Sequence, residues 1–258
     1  MDLRATGSVH ALRGTSSRTH RTSEGLDRAL KRLLDVLVAA AILLLLAPVI
    51  LILCAAIRLE SPGGAFFRCR RVGWRGRELH MLKFRKMHDG ASGPALTLPQ
   101  DERFTRIGAF LARTKLDELP QLWNVLKGDM SLVGPRPEDP GFVQLHKEPY
   151  ETILAVRPGI TGLSQLAFAR ESEVLDPEDR VGHYVERILP QKIHMDSLYA
   201  TKRSLSMDLR ILWWTASAVV GRRDVAVHRD TGRLTRRAPR QPSREAGAPP
   251  VRLERQAS

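Results

Sequence analysis

The feature that most limits how this chain folds is an unbroken apolar run over residues 33–57, which reads LLDVLVAAAILLLLAPVILILCAAI. A helix needs about 20 consecutive apolar residues to span the hydrocarbon core of a bilayer, and this run is long enough. It lies too far from Met1 for a typical secretory signal peptide, and no small-residue cleavage motif follows it. We therefore expect a chain that one helical segment holds at a membrane.

Two details of this run leave its path through the membrane open. Pro48 lies in the middle, where it removes one helical hydrogen bond and kinks the helix. Basic residues crowd both flanks, within residues 28–32 and 58–77, so the positive-inside rule assigns no orientation. A helix that enters, breaks at Pro48 and returns to the same face satisfies both flanks. An ordinary span with a tolerated proline is the alternative.

The distribution of charge separates the ends of the chain from its middle. The formal net charge of +13 over 258 residues at first suggests nucleic acid or an anionic membrane as a partner. Residues 1–32 carry +4 and residues 221–258 carry +6, so the middle is nearly balanced. We therefore expect no nucleic-acid partner for the folded part. The two cysteines, Cys54 and Cys69, form neither a zinc motif nor a disulfide framework.

The remaining sequence predicts an α+β unit that is mostly helical and contains a short β-hairpin. Strands are predicted over residues 65–73 and 78–87, joined by a turn at 73–76. Helices are predicted over residues 102–114, 117–126, 141–155 and 176–220, the last broken at Pro190. The expected organisation is an irregular basic tail over 1–24, a membrane helix over 25–58, a globular domain over 59–220 and an irregular basic tail over 221–258.

Two adjacent carboxylates, Asp117 and Glu118, precede Pro120 and admit two interpretations. In the first, Asp117 is a helix N-cap and Pro120 lies in the first turn, where its missing N–H costs nothing. In the second, the helix N-terminus keeps Asp117 ionised, and an ionised aspartate can act as a nucleophile. Glu118 could then share a hard cation with it, since Mg²⁺ takes one or two carboxylates together with substrate phosphates.

Cations surround this pair in the sequence. They are Lys83, Arg85, Arg113, Arg136 and Arg157. Arg136 lies in a turn between two prolines and Arg157 precedes another proline, and a pre-organised guanidinium suits phosphate oxygens. Each is, taken singly, typical of a surface charge. Together with the membrane segment and the carboxylate pair, they indicate phosphate chemistry at a bilayer surface.

Several motifs carry a resemblance to a known family, in order and at the family's spacing. They are RLESPGGAFF over residues 58–67, KFR over 83–85, LDELPQ over 116–121, GDMSLVGPRP over 128–137 and RPGITG over 157–162. The chain thereby resembles the bacterial monotopic phosphoglycosyl transferases, the sugar transferase domains that prime glycan synthesis on a polyprenyl carrier. The resemblance runs from about residue 30 to 220. It departs at Ala47, Cys69, Lys86 and Ala112, where the family often has Ser, Gln, Ser and Arg.

The resemblance implies a fold, a location and partners. The anchor would be a re-entrant helix broken at Ala47–Pro48, with a catalytic domain on the cytoplasmic face of the bacterial inner membrane. The partners would be a UDP-sugar, polyprenyl phosphate and membrane lipids, and the product would enter exopolysaccharide or glycoconjugate synthesis. A homo-oligomer stays open, as do the sugar and the polymer.

The resemblance also implies roles for single residues. Asp117 would attack the β-phosphate of the UDP-sugar, release UMP and pass the phosphosugar to polyprenyl phosphate. Glu118 would hold Mg²⁺ with Asp117 and assist proton handling. Lys83 and Arg136 would meet phosphates, and Arg85, Arg113 and Arg157 are further candidates for substrate binding. The alternative is a non-catalytic, membrane-tethered protein that binds anionic lipid or nucleic acid through its basic tails, which leaves the carboxylate pair unexplained.

Overall fold

The computed structural model describes residues 16–93, 96–221 and 224–236, with the backbone alone for 16–24 and 220. The described chain is mostly helical with three two-stranded sheets, as the predicted α+β class requires. The helices are α1 Ser16–Glu60, α2 Arg106–Thr114, α3 Gln121–Lys127, α4 Pro140–Leu145, α5 Lys147–Ile153, α6 Leu163–Ala167, α7 Glu171–Val174, α8 Arg180–His183, α9 Leu189–Lys202 and α10 Leu205–Gly221. The strands are β1 Phe66–Val72, β2 Glu78–Phe84, β3 Ser131–Val133, β4 Gly159–Thr161, β5 Val225–Val227 and β6 Leu234–Arg236.

Helix α1 contains the whole apolar run and continues through Pro48, so the break expected at Ala47–Pro48 does not interrupt the helix, and re-entry stays a prediction. It is the one helix in the described chain that is long and apolar enough to cross a membrane. Its middle is unprotected by protein, since Leu44 is 80% exposed and Leu45 is 77% exposed. The helix begins at Ser16, so residues 16–24 are helical where we predicted an irregular tail. An existing helix extends at little cost, because each added residue gains a hydrogen bond without a new nucleation step.

The start of the apolar run is fastened to the globular unit by polar contacts. Lys31 Nζ lies 2.6 Å from Asp208 Oδ2 on α10. Asp35, which is buried, accepts hydrogen bonds from the Leu132 N–H at 3.1 Å and from Ser131 Oγ at 2.8 Å. A carboxylate inside an apolar run is costly to bury unless its oxygens are paired, and β3 supplies both partners.

The end of the run is fastened to the same unit. Ile57 is buried in a cluster with Phe84 and Leu111. Both carboxylate oxygens of Glu60 accept from the Ile107 N–H at the start of α2, at 3.2 and 3.1 Å. The two flanks of the apolar run therefore contact one globular unit. Between them, Ala39, Ile42 and Leu43 pack against the core on one side of the helix, and Leu44 and Leu45 are exposed on the other.

Strands β1 and β2 form the predicted antiparallel hairpin, with Phe66 opposite Phe84 and Val72 opposite Glu78. Leu79 and Met81 of β2 point into the core. Asn124 of α3 fastens the helix to this strand: its Oδ1 accepts from the Leu82 N–H and its Nδ2 donates to the His80 carbonyl, both at 2.9 Å. This clamp fixes the register between β2 and the segment around Asp117.

The two proline-containing turns meet where β3 and β4 pair in parallel, with Ser131 opposite Gly159. Gly134 allows that approach, because a Cβ there would lie 2.4 Å from the Arg157 carbonyl oxygen. The turn that carries Arg136 is therefore held against the turn that follows Arg157. A side chain at Gly134 would separate the two turns.

The prediction of an irregular tail from residue 221 is wrong for residues 225–236. Strands β5 and β6 form a hairpin there, and Val225 is only 5% exposed. Val227 and Leu234 pack against the core of the globular unit. Alternating apolar residues within a basic composition supply the burial that holds this hairpin. Residues 237–258 and 1–15, also predicted to be irregular, lie outside the described residues.

Helix α10 carries two adjacent tryptophans that lie in different surroundings. Trp214 packs against the core, whereas Trp213 is 71% exposed and Leu209, one turn earlier, is also exposed. The helix is therefore a core element on one face and an exposed apolar surface on the other.

Candidate active site

Asp117 lies in a single 3₁₀ turn, Leu116–Glu118, between α2 and α3. It is 2% exposed. Helix α3 begins only at Gln121, the residue before it is Pro120, and no side chain caps it. The interpretation of Asp117 as the N-cap of a helix over 117–126 is therefore wrong. Lys115, with φ of 58°, turns the chain sharply after α2, and the proline without an N–H delays the next helix.

Two lysines at the end of the hairpin face the two carboxylates. Lys83 Nζ lies 2.8 Å from Glu118 Oε1, and Lys86 Nζ lies 3.4 Å from Asp117 Oδ2. Lys83 shares the face of β2 that carries Met81, so strand alternation directs it inward. The structure thus brings Asp117, Glu118 and Lys83 close together, and their roles stay a prediction.

The electrostatics of the site keep Glu118 ionised. Burial raises the pKa of its carboxyl group, but the nearby cations Lys83 and Arg136 outweigh that effect and lower the pKa to about 2. Burial lowers the pKa of Lys86, and the neighbouring Asp117 offsets only part of that shift. Glu118 is therefore a carboxylate at neutral pH, which suits a cation ligand better than a general acid.

Arg136 is the third cation of the site and is surrounded by carboxylates. Burial alone would lower its pKa, but Glu118, Glu171 and Glu138 raise it, so the guanidinium stays charged. Proline residues on both sides fix its backbone. A charged guanidinium beside an ionised Glu118 is placed to contact a phosphate that approaches Asp117.

A buried polar network supports the turn that carries Arg136. Tyr184 Oη donates to Glu138 Oε2 at 2.6 Å, and Lys192 Nζ donates to Tyr184 Oη at 3.2 Å. Lys192 also forms an ion pair with Glu171. The Arg136 backbone N–H bonds to Asp196, whose pKa burial raises to about 7. These groups support the backbone of the turn on which Arg136 lies.

Two of the predicted substrate-binding arginines have other surroundings. Arg85 donates to backbone carbonyls at the end of α1, to Ser61 at 2.8 Å and Ile57 at 3.4 Å, and also to Pro62. It therefore caps the membrane helix, where a cation is favoured by the helix dipole. Arg113 lies exposed in the last turn of α2.

Arg157 lies at the opposite end of α3 from the carboxylates. Its Nε donates to the Gly128 carbonyl at 2.9 Å, and its guanidinium stacks on Trp74. Arg157 lies beside a rigid turn, as its sequence motif predicts, but it does not lie near Asp117.

Lys86 is the site residue that we did not predict as such. It lies beyond the end of β2, where strand alternation no longer tells which way a side chain points. Gly108 of α2 is the signal that its backbone is tightly packed, because a Cβ there would lie 1.9 Å from the Lys86 carbonyl oxygen. Sequence spacing alone does not reveal that contact.

The donor set for a divalent cation is small. Within the described residues there is no cluster of three or more His, Cys, Asp or Glu side chains that could hold a metal ion. Asp117 and Glu118 together fit Mg²⁺, which commonly takes one or two carboxylates and obtains its other ligands from water and substrate phosphates. The cation that the sequence suggested therefore stays a prediction for this pair.

Sequence comparison supplies an independent finding. Residues 26–222 match the family described as bacterial sugar transferase. A UDP-glucose:undecaprenyl-phosphate glucose-1-phosphate transferase of Caulobacter vibrioides is 40% identical over 195 residues, which cover 74% of this chain and 69% of that protein. The exopolysaccharide production protein PSS of Rhizobium leguminosarum bv. phaseoli is 40% identical over 199 residues, 74% of this chain and 94% of that protein.

A relative with another sugar in its name is also similar. The UDP-N-acetylgalactosamine-undecaprenyl-phosphate N-acetylgalactosaminephosphotransferase of Aeromonas hydrophila is 35% identical over 196 residues. These cover 74% of this chain but only 44% of that protein, so the chain spans less than half of that relative.

Proposed function

This chain belongs to the bacterial sugar transferase family, and from that premise we propose that it transfers a sugar 1-phosphate from a UDP-sugar to undecaprenyl phosphate and releases UMP. It is a phosphoglycosyl transferase by its relatives. The observation that carries the proposal is the position of Asp117. This carboxylate is buried, caps no helix, and lies beside Lys86, with the Lys83–Glu118 pair next to it.

In the first half-reaction, a carboxylate oxygen of Asp117 attacks the β-phosphorus of the UDP-sugar. The bond between that phosphorus and the oxygen bridging to the α-phosphate breaks, and the electron pair leaves with UMP. The product is an acyl phosphodiester that joins the sugar to Asp117. Nucleophilic catalysis of this kind divides one difficult displacement into two easier ones.

In the second half-reaction, a phosphate oxygen of undecaprenyl phosphate attacks the same phosphorus. The bond to Asp117 breaks and restores the carboxylate, and the lipid leaves as an undecaprenyl diphosphate sugar. No net proton transfer is needed between two phosphate oxygens and a carboxylate, which agrees with a site whose neighbouring Glu118 is held ionised.

The cations of the site stabilise the charge that moves in both steps. Lys83 and Arg136 balance Glu118 and contact the transferring phosphate, and Lys86 balances Asp117. Asp117 and Glu118 would hold Mg²⁺, which, when bound, neutralises phosphate charge. The role of Arg85, in contrast, is to fasten α1 to the hairpin.

The membrane arrangement that we propose is a re-entrant helix with the catalytic unit on the cytoplasmic face. It is supported by the contacts of Lys31 and Asp35 at one flank of the apolar run and of Glu60 at the other. One folded unit cannot lie on both sides of a bilayer, so a helix fastened to it at both flanks enters and leaves by the same face. Pro48 lies at the midpoint, where a bend serves this path.

The test is UMP release from a panel of UDP-sugars by the full chain in a bilayer with undecaprenyl phosphate. Relatives are named for glucose and for N-acetylgalactosamine, so both sugars belong in the panel. We expect turnover with at least one donor and none with Asp117→Asn, whose amide keeps the shape but is a poor nucleophile. Asp230→Asn, at an exposed carboxylate between β5 and β6, is the matched control. Retained turnover in Asp117→Asn would remove the nucleophile from the mechanism.

A further inference from the structure

A second concave site lies beside α1, between the hairpin turn and the segment before β4. It encloses a cavity of about 110 Å³. Six cations line it: Arg28, Lys31, Arg32, Arg75, Arg157 and Arg203. A single carboxylate, that of Asp35, lines it with them. The cavity therefore carries a strong excess of positive charge contributed by segments far apart in the sequence.

This cavity is separate from the Asp117 site. Arg32 donates to the Val125 and Leu126 carbonyls at 2.7 and 3.0 Å, and Arg157 donates to the Gly128 carbonyl. These carbonyls are at the C-terminal end of α3, whereas Asp117 precedes its N-terminal end. A helix of this length separates the two by about 10 Å, at 1.5 Å per residue.

Fold stability accounts for only part of the cationic lining. Lys31 pairs with Asp208, and Arg32 satisfies the last carbonyls of α3, which is a common use of a basic side chain. Asp35 is fully used by Ser131 and Leu132. Arg157 satisfies the Gly128 carbonyl through its Nε, so these contacts account for that nitrogen but not for the other guanidinium nitrogens of Arg157 and Arg75.

The indole of Trp74 carries two guanidinium groups. The Cζ atom of Arg157 lies 4.3 Å from the ring centre and that of Arg75 lies 4.5 Å from it. Arg75 has a φ of 57°, a left-handed conformation that arginine rarely adopts, and its N–H donates to the Leu154 carbonyl at 2.8 Å. Stacking uses the faces of the guanidinium groups and leaves their N–H edges available to an anion.

The clustering of cations is unfavourable without an anion. Burial lowers the pKa of Arg157, and the nearby cations Arg32 and Arg75 lower it further. Like charges brought this close repel, and a strained turn conformation persists only where its surroundings hold it. A bound anion would remove the repulsion, and guanidinium forks match phosphate oxygens best.

The exposed apolar face of α1 indicates at what level of the bilayer the cavity lies. Leu26, Leu30, Leu33 and Leu37 are exposed and recur at helical spacing, on the side of α1 away from Arg28 and the other cations. An exposed apolar stripe that extends to Leu26 places these turns at the bilayer surface, with acyl chains on one side. The cations on the other side then lie at the level of lipid phosphates.

We propose that this cavity binds the phosphate group of an anionic membrane phospholipid, at a site distinct from the Asp117 centre. Its volume equals several water molecules at about 30 Å³ each, enough for a phosphate and its nearest atoms. Pockets that enclose a whole ligand are typically roughly 300–1,000 Å³, so only the phosphate group of a larger molecule would lie inside this cavity. The inference depends on membrane attachment and not on the transfer reaction.

The experiment is native mass spectrometry of the full chain in detergent, titrated with dioleoylphosphatidylglycerol or dioleoylphosphatidylcholine. We expect saturable retention of the anionic lipid and little retention of the zwitterionic one. The variant Arg75→Gln/Arg203→Gln removes two cations, and at the usual value of a basic residue near an anionic surface its dissociation constant should rise about thirty-fold. Arg70→Gln, an exposed arginine of β1, is the matched control and should bind as the wild type does.

Thermal melting without lipid verifies that the double variant folds. This check is needed because Arg75 lies in the turn between β1 and β2 and Arg203 directly follows α9. Equal retention of phosphatidylglycerol by the wild type and the folded double variant would overturn the site. A third arm adds inorganic phosphate. If inorganic phosphate at millimolar concentration displaces the lipid and raises the melting temperature as much as the lipid does, the cavity binds small anions and the lipid assignment is overturned.

Discussion

Lys86 Nζ lies 3.4 Å from Asp117 Oδ2, and this contact joins the end of the β-hairpin to the 3₁₀ turn that carries the proposed nucleophile. Both groups are poorly exposed, with side-chain exposures of 24% and 3%. A buried charge is costly unless an opposite charge lies near it, and Lys86 is the closest cation to Asp117 in the described chain.

We expect Lys86→Met to slow UMP release by about ten- to a hundred-fold at pH 7, the usual range for one charge-stabilising or acid–base group. Lys86→Arg keeps the charge and should restore most of the rate. Lys127→Met, at an exposed lysine, is the control. An unchanged rate in Lys86→Met would show that the contact has no electrostatic role.

Asp196 should make stability depend on pH. Burial raises the pKa of its carboxyl group from 3.8 to about 7, although Ser164 and Lys192 oppose the shift. Between pH 4 and 7 the unfolded chain releases this proton while the folded chain retains it. Folding is therefore most favoured at the acid end, and stability falls as pH rises through the window, by roughly 1.4 kcal/mol per unit from this group.

The measurement is the melting temperature in detergent at pH 5 and pH 7 for the wild type and Asp196→Asn. The variant lacks the titrating proton, so the difference in stability between the two proteins should change with pH by roughly 2–3 kcal/mol over this interval. Other titrating groups are common to both proteins and cancel. A constant difference at both pH values would mean that Asp196 ionises normally in the folded chain.

The membrane path of α1 predicts the same accessibility for both of its flanks. With Cys54 and Cys69 replaced by Ala, single cysteines at Asp27→Cys and Arg70→Cys should both react with an impermeant thiol reagent in inside-out vesicles. Neither should react in sealed right-side-out vesicles until the membrane is lysed. Reaction of the two sites from opposite faces would establish an ordinary span and contradict the re-entrant arrangement.

The hairpin of β5 and β6 should determine how many carboxy-terminal residues can be removed without loss of stability. A chain that ends at residue 236 keeps β5 and β6 and should melt as the wild type does. A chain that ends at residue 223 loses Val225 and Val227, and burial of a valine side chain stabilises by roughly 2 kcal/mol. We expect a clearly lower melting temperature for the shorter chain only. Equal melting of both would show that the hairpin contributes no stability.

Local sequence patterns predicted those parts of the structure that depend on local physics. The apolar length of α1, the hairpin of β1 and β2, and the Gly128 end of α3 were all predicted in this way. The Asp117–Glu118 pair was likewise recognised as a candidate site, because Pro120 and Lys83 lie in elements that the sequence predicts.

Other features depend on which segments meet in space. Arg85 looked like a phosphate ligand because it shares a strand with Lys83, yet the end of α1 provides its carbonyl partners. The contact of Lys86 with Asp117 and the stacking of Arg157 on Trp74 each join segments that are more than 30 residues apart. Charge patterning along the chain does not encode such contacts.

The covalent intermediate predicts an order of events that kinetics can detect. If Asp117 carries the phosphosugar, the donor product leaves before the lipid phosphate reacts, which is a ping-pong mechanism. Incubation with UDP-sugar and Mg²⁺, without acceptor, should release UMP up to about one equivalent per enzyme, since each active site holds one nucleophile. The tryptic peptide that contains Asp117 should gain the mass of the phosphosugar, and adding undecaprenyl phosphate should remove it.

Initial rates against donor, at several concentrations of undecaprenyl phosphate, should give parallel double-reciprocal lines. The variant Glu118→Gln tests the role of Glu118 separately from that of the nucleophile. It retains Asp117 but loses the ionised partner of Lys83. It should form the same adduct more slowly, and its requirement for Mg²⁺ should shift to higher concentrations. Intersecting lines together with no adduct in either protein would mean direct attack by the lipid phosphate in a ternary complex, with Asp117 acting only as a cation ligand.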